Sequence, residues 1–197
     1  MDAIYSEAYK GMTIKIYSDE LAESPREWDN LGTMICFHRR YTLGDEHNMT
    51  IEEARALIQR KDVIFLPLYL YDHSGITMNT TGFSCPWDSG QIGFIYVTKE
   101  KVRKEYGKKV VSPKLKARIF DYLRGEVRTY DDFIRGNVYG YVIEDKEGKH
   151  VDSCWGFFGD YDNKEYSALK EARSYVDGMP EKTADVAKSE AMEGSHA

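Results

Sequence analysis

Runs of alternating or continuous apolar residues predict the strands of this chain. Met12 to Tyr17 alternates apolar and polar residues, which is typical of a half-buried strand. Val63 to Tyr71 is continuously apolar and predicts a buried strand. The turn sequence from Asp145 to Lys149 separates two apolar runs, so it predicts a β-hairpin. The predicted strands are 12–17, 32–37, 63–71, 76–81, 91–97, 138–144 and 150–158.

Capping signals predict where the helices begin. Thr50-Ile51-Glu52-Glu53 is a capping box, in which the Thr hydroxyl and the Glu carboxylate satisfy backbone donors reciprocally. Ser112-Pro113 places a capping serine before a proline at the first helical position, and this helix is expected to end before Gly125. The predicted helices are 50–60, 99–106, 112–124, 130–135 and 164–176.

Clustered strands with helices inserted between them predict an α+β fold. The expected arrangement is a single domain over residues 1–177, built mainly on an antiparallel sheet with several short helices and a C-terminal helix. Beyond Gly178 the composition turns to Ala, Glu, Lys and Ser without periodicity. Residues 178–197 are therefore predicted to be a disordered tail.

The charge of the chain is unevenly distributed. The formal net charge is −6, but residues 99–135 contain twelve Lys and Arg against six Asp and Glu. A basic middle between acidic flanks can steer a charged partner. The simpler interpretation is a solvated helical face on which opposite charges alternate, and the pattern favours it.

The chain shows no feature of a membrane or secreted protein. No apolar run approaches the roughly 20 residues that a membrane helix needs, and the N-terminus lacks the basic start and apolar core of a signal peptide. The three cysteines are unevenly spaced, so they predict reduced thiols rather than a disulfide framework. These features predict a cytoplasmic protein that does not associate with a membrane.

The richest chemistry lies in residues 71–75 and 83–93, between two apolar strands. His73 with Asp88, Ser89 or Cys85 supplies the residue types of an activated nucleophile. However, Asp72 and His73 are adjacent and would point to opposite sides of a continuing strand, and Pro86 removes a backbone N–H that an oxyanion hole would use. The pattern therefore favours a thiol and a hydroxyl that only shape a turn.

Two further segments carry polar side chains typical of contact loops. Trp28-Asp29-Asn30 is expected to close a loop with its indole as an apolar anchor. His38-Arg39-Arg40-Tyr41 follows a predicted strand and could grip a phosphate or a carboxylate. The predicted binding residues are Trp28, Asp29, Asn30, His38, Arg39, Arg40, Asp72, His73, Trp87, Asp88, Ser89 and Gln91.

Metal and cofactor motifs are not found in the sequence. His38, His47, His73, Cys36 and Cys85 do not have the spacings of metal-binding motifs, and Gly-rich phosphate loops are missing. Cys154 lies in a Ser-Cys-Trp string like that around papain-type nucleophiles, but it falls late in the chain and in a predicted hairpin, which excludes that mechanism. The sequence therefore predicts neither a metal nor a cofactor.

The sequence contains five distinctive strings: Trp28-Asp-Asn-Leu-Gly-Thr-Met34, His38-Arg-Arg-Tyr41, Asp72-His-Ser-Gly75, Trp87-Asp-Ser-Gly-Gln-Ile-Gly93 and Asp152-Ser-Cys-Trp-Gly156. Taken together, they resemble an uncharacterised group of proteins encoded by bacteriophages, plasmids and integrative elements, mostly of Gram-positive hosts. The resemblance covers roughly residues 12 to 158 and carries no assigned chemistry. It implies a small accessory protein of a mobile element, and such proteins often inhibit restriction, CRISPR or other host defences by binding.

Three hypotheses of function follow. The first is a phage or mobile-element accessory protein that binds a host protein or a protein–nucleic acid complex in the bacterial cytoplasm, with acidic flanks that complement a basic partner. The second is a small hydrolase or transferase that uses His73 with Asp88, Ser89 or Cys85, which requires these side chains to meet in one pocket. The third is direct nucleic-acid binding by the basic 99–135 helices together with Arg39 and Arg40.

Overall fold

The computed structural model describes residues 2–180, so most of the predicted tail at 178–197 lies outside the described residues. The described strands form two antiparallel sheets, and four α-helices accompany them. The predicted α+β class is therefore confirmed. In chain order the elements are β1 (Tyr5–Tyr9), β2 (Met12–Ser18), a 3-10 turn (Pro25–Glu27), β3 (Thr33–Cys36), α1 (Ile51–Ile58), β4 (Val63–Asp72), β5 (Ile76–Asn79), β6 (Ser89–Thr98), α2 (Lys99–Tyr106), α3 (Pro113–Ile134), β7 (Val138–Glu144), β8 (His150–Phe158) and α4 (Ala168–Gly178).

The described chain divides into two compact units. The first unit combines residues 2–19 with residues 139–180, and the second is Glu20–Val138. Within residues 2–180, no helix is both long and apolar enough to cross a membrane.

The first unit is a four-stranded sheet with α4 packed on it. The strand order is β1-β2-β7-β8, and β7 and β8 form the predicted hairpin. Ile14, Ile16 and Ile143 of the sheet are fully buried in one cluster with Ala168 and Ala172 of α4. Because alanine side chains are short, α4 can approach the branched side chains of the sheet closely, and this contact forms the core of the unit.

Strand β1 is not predicted from the sequence, because its pattern is not purely apolar. Tyr5 and Tyr9 pack against the core of the first unit, but Glu7 lies between them in the same alternation. The turn to β2 is formed by Lys10 and Gly11, whose φ angles are 47° and 82°. Two positive φ angles suit a tight hairpin turn, yet lysine at the first position hides the usual Asn-Gly or Asp-Gly signal.

The carboxylate of Glu7 makes stability depend on pH. Nε and Nη2 of Arg173 each donate to Glu7 at 2.7 Å, and this pairing lowers the pKa of the Glu7 carboxyl. Because the folded chain holds that proton less tightly than the unfolded chain, the stabilisation is present above the ordinary glutamate pKa of about 4.3 and is lost as the pH falls through the lowered value. Glu7→Gln should cost about 1 kcal/mol at neutral pH.

Urea unfolding of wild type and Glu7→Gln across pH checks this expectation. The difference between the two proteins should shrink as the pH falls below about 4. Glu147→Gln, in the exposed turn of the β7–β8 hairpin, is the control. It should leave stability unchanged both at neutral pH and at low pH. A difference for Glu7→Gln that stays constant with pH would contradict the role of the carboxylate charge.

The second unit is a sheet with helices on both faces. Its strand order is β3-β6-β4-β5, and each neighbouring pair is antiparallel. Neighbouring residues of β6 point to opposite faces: Phe94 packs with Ala54 of α1, whereas Ile95 packs with Leu123 of α3. Both faces are thus covered, which explains why the strands of this unit contain continuous apolar runs.

Helix α3 is longer than the sequence predicts. The predicted break at Gly125 and the separate helix at 130–135 are wrong, because one helix runs from Pro113 to Ile134. Its buried residues Ile119, Leu123, Val127 and Tyr130 recur at helical spacing across the glycine. Their packing against the sheet outweighs the roughly 1 kcal/mol by which glycine disfavours a helix interior.

Candidate functional site

The candidate site lies at one end of the sheet in the second unit. Because the strands are antiparallel, the C-terminal ends of β3 and β4 and the N-terminal ends of β5 and β6 lie at the same end. The polar segments that adjoin these strand ends therefore meet there. We call the side chains that contact one another at this place the sheet-end cluster: His38, Arg40, Tyr41, Asp72, His73, Cys85, Asp88 and Ser89.

Asp88 lies at the centre of one half of the sheet-end cluster. Its Oδ2 is 3.5 Å from Nδ1 of His73 and accepts a hydrogen bond from Sγ of Cys85 at 3.4 Å. Its backbone carbonyl accepts the N–H of Asp72 at 2.8 Å, and the Ser89 hydroxyl donates to the carbonyl of Cys85. The loop from Cys85 to Ser89 is therefore tied both to itself and to the end of β4.

The turn between β4 and β5 places His73. Its backbone N–H donates to the carbonyl of Gly75 at 3.0 Å. Ser74 and Gly75 both have positive φ, at 57° and 148°. This tight turn carries His73 off the end of β4 and towards the loop that holds Asp88, whereas the adjacent Asp72 contacts Arg40 and Tyr41.

The segment after β3 forms the other half of the sheet-end cluster. Asp72 accepts a hydrogen bond from the hydroxyl of Tyr41 at 3.3 Å and lies 3.6 Å from Nη1 of Arg40. The rings of His38 and Tyr41 stack with centroids 5.0 Å apart. Nδ1 of His38 accepts the backbone N–H groups of Arg40 and Tyr41, each at 3.3 Å. His38 therefore shapes the loop, and Arg40 is partly neutralised by Asp72.

The cluster does not have the connectivity of a nucleophilic active site. A catalytic thiol or hydroxyl must contact the imidazole that takes its proton. Here the carboxylate of Asp88 lies between Cys85 and His73, and the hydroxyl of Ser89 donates to a backbone carbonyl instead. His73 and Asp88 do meet, as the enzyme hypothesis requires, but their side chains are 63% and 36% exposed. In such an open setting a charge pair is screened by water and contributes little.

Trp87 projects from this end of the sheet. It follows Cys85-Pro86 in the tied loop, and the residue is 92% exposed. Behind the loop, the ring of Phe83 lies 5.6 Å from that of Tyr71. Gln91, another predicted binding residue, donates to the carbonyl of Gly93 within its own strand at 3.3 Å. An exposed indole on a fixed loop is the most prominent apolar feature of this site.

Four other predicted binding residues are not members of the sheet-end cluster. Arg39 is exposed beside the cluster. Trp28, Asp29 and Asn30 do not join it: they follow the 3-10 turn and lie against α2 and α3. There the side-chain amide of Asn30 donates to the carbonyls of Pro25 at 2.7 Å and Trp28 at 3.0 Å, so it fixes the loop as the turn interpretation expects.

The grooves of the second unit are also lined by side chains of α3 that sequence analysis did not single out. Among the grooves of about 350 to 400 Å³ found here, two are lined by Tyr122 and Glu126, and one of these two also by Arg118. A further groove is lined by Asp121, Arg124 and Arg128 of the same helix, and none of them is lined by the sheet-end cluster. The i, i+4 spacing of Arg118 and Tyr122 could have indicated that these two side chains are neighbours on the surface of one helix. Glu126 gave no comparable signal, because its partners are distant in sequence.

Two further features of the described residues bear on their chemistry: the placement of metal-ligating side chains and the state of the buried thiol. Among residues 2–180, no group of three or more His, Cys, Asp or Glu side chains is arranged to hold a metal ion. Burial raises the pKa of Cys36 to about 12, which keeps that thiol protonated and unreactive. Comparison of the chain with protein-family models, with curated proteins and with solved structures found no match.

Proposed function

We propose that this chain is a binding protein that docks on a host macromolecule through the sheet-end cluster and Trp87. The observation that carries the proposal is the 92% exposure of Trp87 on a loop tied down by its own hydrogen bonds. A tryptophan left in water is costly for a soluble protein, and tryptophan is enriched among the residues that dominate binding energy at protein interfaces. Because the loop is already fixed, a partner would not have to order it.

The distribution of charge supports a partner with a basic surface. Residues 139–180 contain nine Asp and Glu against five Lys and Arg. Such an excess complements the surfaces of proteins that handle nucleic acid. Together with the resemblance to proteins of bacteriophages and mobile elements, it favours an inhibitor of a bacterial defence complex acting in the host cytoplasm. Neutralising clustered acids should weaken such binding, as should added salt.

Direct nucleic-acid binding is the weaker alternative because many basic side chains already have partners. Arg118 lies over the rings of Tyr106 and Tyr122, with its guanidinium carbon 5.7 and 5.5 Å from their centroids. Arg124 and Arg135 are paired with aspartates of the same helix at 3.0 and 3.6 Å. Phosphate contacts would have to compete with these interactions.

The proposal predicts that Trp87→Ala strongly weakens binding without unfolding the protein. A tryptophan at the centre of an interface is worth at least about 2 kcal/mol, so affinity for the captured partner should fall by about thirtyfold or more. The free energy of unfolding should change by less than about 0.5 kcal/mol, because the side chain is in water. Calorimetric titration and urea unfolding measure the two quantities.

The partner is first captured by placing a photoreactive amino acid at position 87 and irradiating the full chain in a bacterial host lysate. Leu21, which is 91% exposed, is the matched control position. One specific adduct at position 87 that is missing at position 21 supports the proposal, and loss of binding in His73→Ala/Asp88→Ala would extend the interface to the cluster. Equal labelling at both positions, or full affinity in Trp87→Ala, would contradict the proposal that the chain docks through Trp87.

A further inference from the structure

A second surface of this unit shares no residue with the sheet-end cluster. It is a groove of about 400 Å³ between the 3-10 turn and one face of α3. We call it the α3 groove. Trp28 and Tyr122 are its exposed aromatic residues, at 49% and 45% exposure. Its lining residues are Pro25, Trp28, Asn30, Arg118, Asp121, Tyr122, Gly125, Glu126 and Thr129.

Gly125 is a helical residue that the fold itself does not explain. It lies inside α3, where glycine is less favourable than alanine. Glycine is needed where the backbone has a positive φ or where a Cβ would clash, and neither applies here, since a Cβ built at Gly125 meets nothing within 4 Å. The space that this Cβ would fill belongs to the α3 groove. Without a side chain at this position, a ligand in the groove could approach the backbone of α3 closely.

The wall that carries Trp28 is rigid before anything binds. Arg26, in the adjacent 3-10 turn, is 5% exposed and forms ion pairs with Asp45 at 2.7 Å and Glu126 at 3.1 Å. Asn30 closes the loop on the other side of Trp28 through its bonds to two backbone carbonyls. A preformed groove loses little conformational entropy on binding, as expected of a recognition surface.

Both carboxylates that line the α3 groove are already paired with arginines of the same unit. Glu126 is paired with Arg26, Asp121 with Arg124 at 3.0 Å, and Arg118 donates to the hydroxyl of Tyr122 at 3.2 Å. A nucleic-acid backbone would meet two carboxylates here and few unpaired cations. The lining instead suits an uncharged, apolar occupant, and the guanidinium of Arg118 has further N–H groups to donate to carbonyl oxygens.

We propose that the α3 groove binds an extended proline-rich peptide segment of a partner protein. Proline rings pack on aromatic side chains such as Trp28 and Tyr122, and the polyproline II helix is preformed and so loses little entropy on docking. Prolines have no N–H and present only carbonyl acceptors, which matches the further N–H groups of Arg118. Gly125 provides the flat floor over which such a segment passes.

Titration of the full, isotopically labelled chain with a decaproline peptide tests this assignment. The indole N–H of Trp28, identified with Trp28→Phe, and the amide of Gly125 should show saturable shifts in nuclear magnetic resonance spectra. A Gly-Ser peptide of equal length and an oligothymidine should leave both signals unchanged. Shifts produced by the oligothymidine alone, or no shift with decaproline at millimolar concentration, would overturn the proposal.

Substitutions at Gly125 separate binding from folding. Gly125→Ala should raise Tm by about 2–4 °C, because alanine favours the helix and reduces the freedom of the unfolded chain. Gly125→Leu fills the floor and should lower decaproline affinity by about tenfold or more. Ala117→Leu adds bulk to the same helix at a residue that does not line the groove, and it should retain full affinity. A lower Tm for Gly125→Ala, or undiminished binding in Gly125→Leu, would refute the argument.

Discussion

Arg26→Ala should destabilise the second unit by about 3–5 kcal/mol, the cost of breaking a buried ion pair from one side. The guanidinium donates two hydrogen bonds to the carboxylate of Asp45, from Nε at 2.7 Å and from Nη2 at 3.0 Å. Its Nη1 donates to Glu126 at 3.1 Å and its Nη2 also donates to the carbonyl of Gly32 at 2.8 Å. Burial disfavours the charge, but the two carboxylates more than compensate and raise the pKa of Arg26.

Arg26→Ala would weaken more than the two ion pairs, because both carboxylates also accept hydrogen bonds from backbone N–H groups. Asp45 accepts the N–H of Met34 in β3 at 2.8 Å. Glu126 accepts the N–H groups of Leu31 at 2.9 Å and Gly32 at 3.1 Å. Without Arg26 the two acids remain 23% and 13% exposed with no counterion there, so they would repel each other and pull away from these donors.

Arg60→Ala is the matched control for Arg26→Ala. Nη2 of Arg60 lies 2.5 Å from Asp62, a shorter separation than any in the Arg26 network, but both side chains are about half exposed, at 55% and 52%. Water screens such an exposed pair, so it contributes little to stability. Urea unfolding should therefore show a large shift for Arg26→Ala and a small one for Arg60→Ala. Equal shifts for the two variants would mean that burial does not set the strength of these pairs.

The same network shows where prediction from the sequence had to stop. Arg26 lies 19 residues before Asp45 and 100 residues before Glu126. Neither separation corresponds to a turn of helix or a strand repeat, so no periodic pattern connects the three side chains. By contrast, the β7–β8 hairpin and the capping box of α1 were predicted correctly, because their interactions span only a few residues.

At the candidate site, too, local patterns in the sequence predicted the residues involved but not the contacts between them. The richness of residues 71–75 and 83–93 in polar side chains led to His73, Asp88 and Cys85, which the structure brings together. The hydrogen bonds among them could not be predicted, because they depend on the tight turn at Ser74 and Gly75 and on the conformation of the loop from Cys85 to Ser89. Gly125 is the converse case. A glycine in this sequence context indicates the end of a helix. The helix continues nevertheless, because buried residues of α3 before and after Gly125 pack in the core.

Gly93→Ala should destabilise the second unit by more than about 3 kcal/mol, beyond the usual cost of overpacking, because no side chain can move aside. Gly93 lies in β6 between Cys36 of β3 and Leu68 of β4. A Cβ at this position would lie 1.9 Å from the carbonyl oxygen of Ile35 and 3.0 Å from Cα of Cys36, both of which are backbone atoms. The strain can be relieved only by moving β3 away from β6.

Displacement of β3 would also dismantle the sheet-end cluster, which makes Gly93→Ala a test of how the fold positions the site. The segment that carries His38 and Tyr41 leaves directly from β3, and the N–H of Phe37 is held by the carbonyl of Ile92 at 2.7 Å. Gly90→Ala is the control in the same strand, because its Cβ meets nothing within 4 Å, and it should change stability by less than about 1 kcal/mol. Urea unfolding separates the two variants. If photo-crosslinking from position 87 also fails in Gly93→Ala but persists in Gly90→Ala, the close packing of β3 on β6 is what holds the binding surface together.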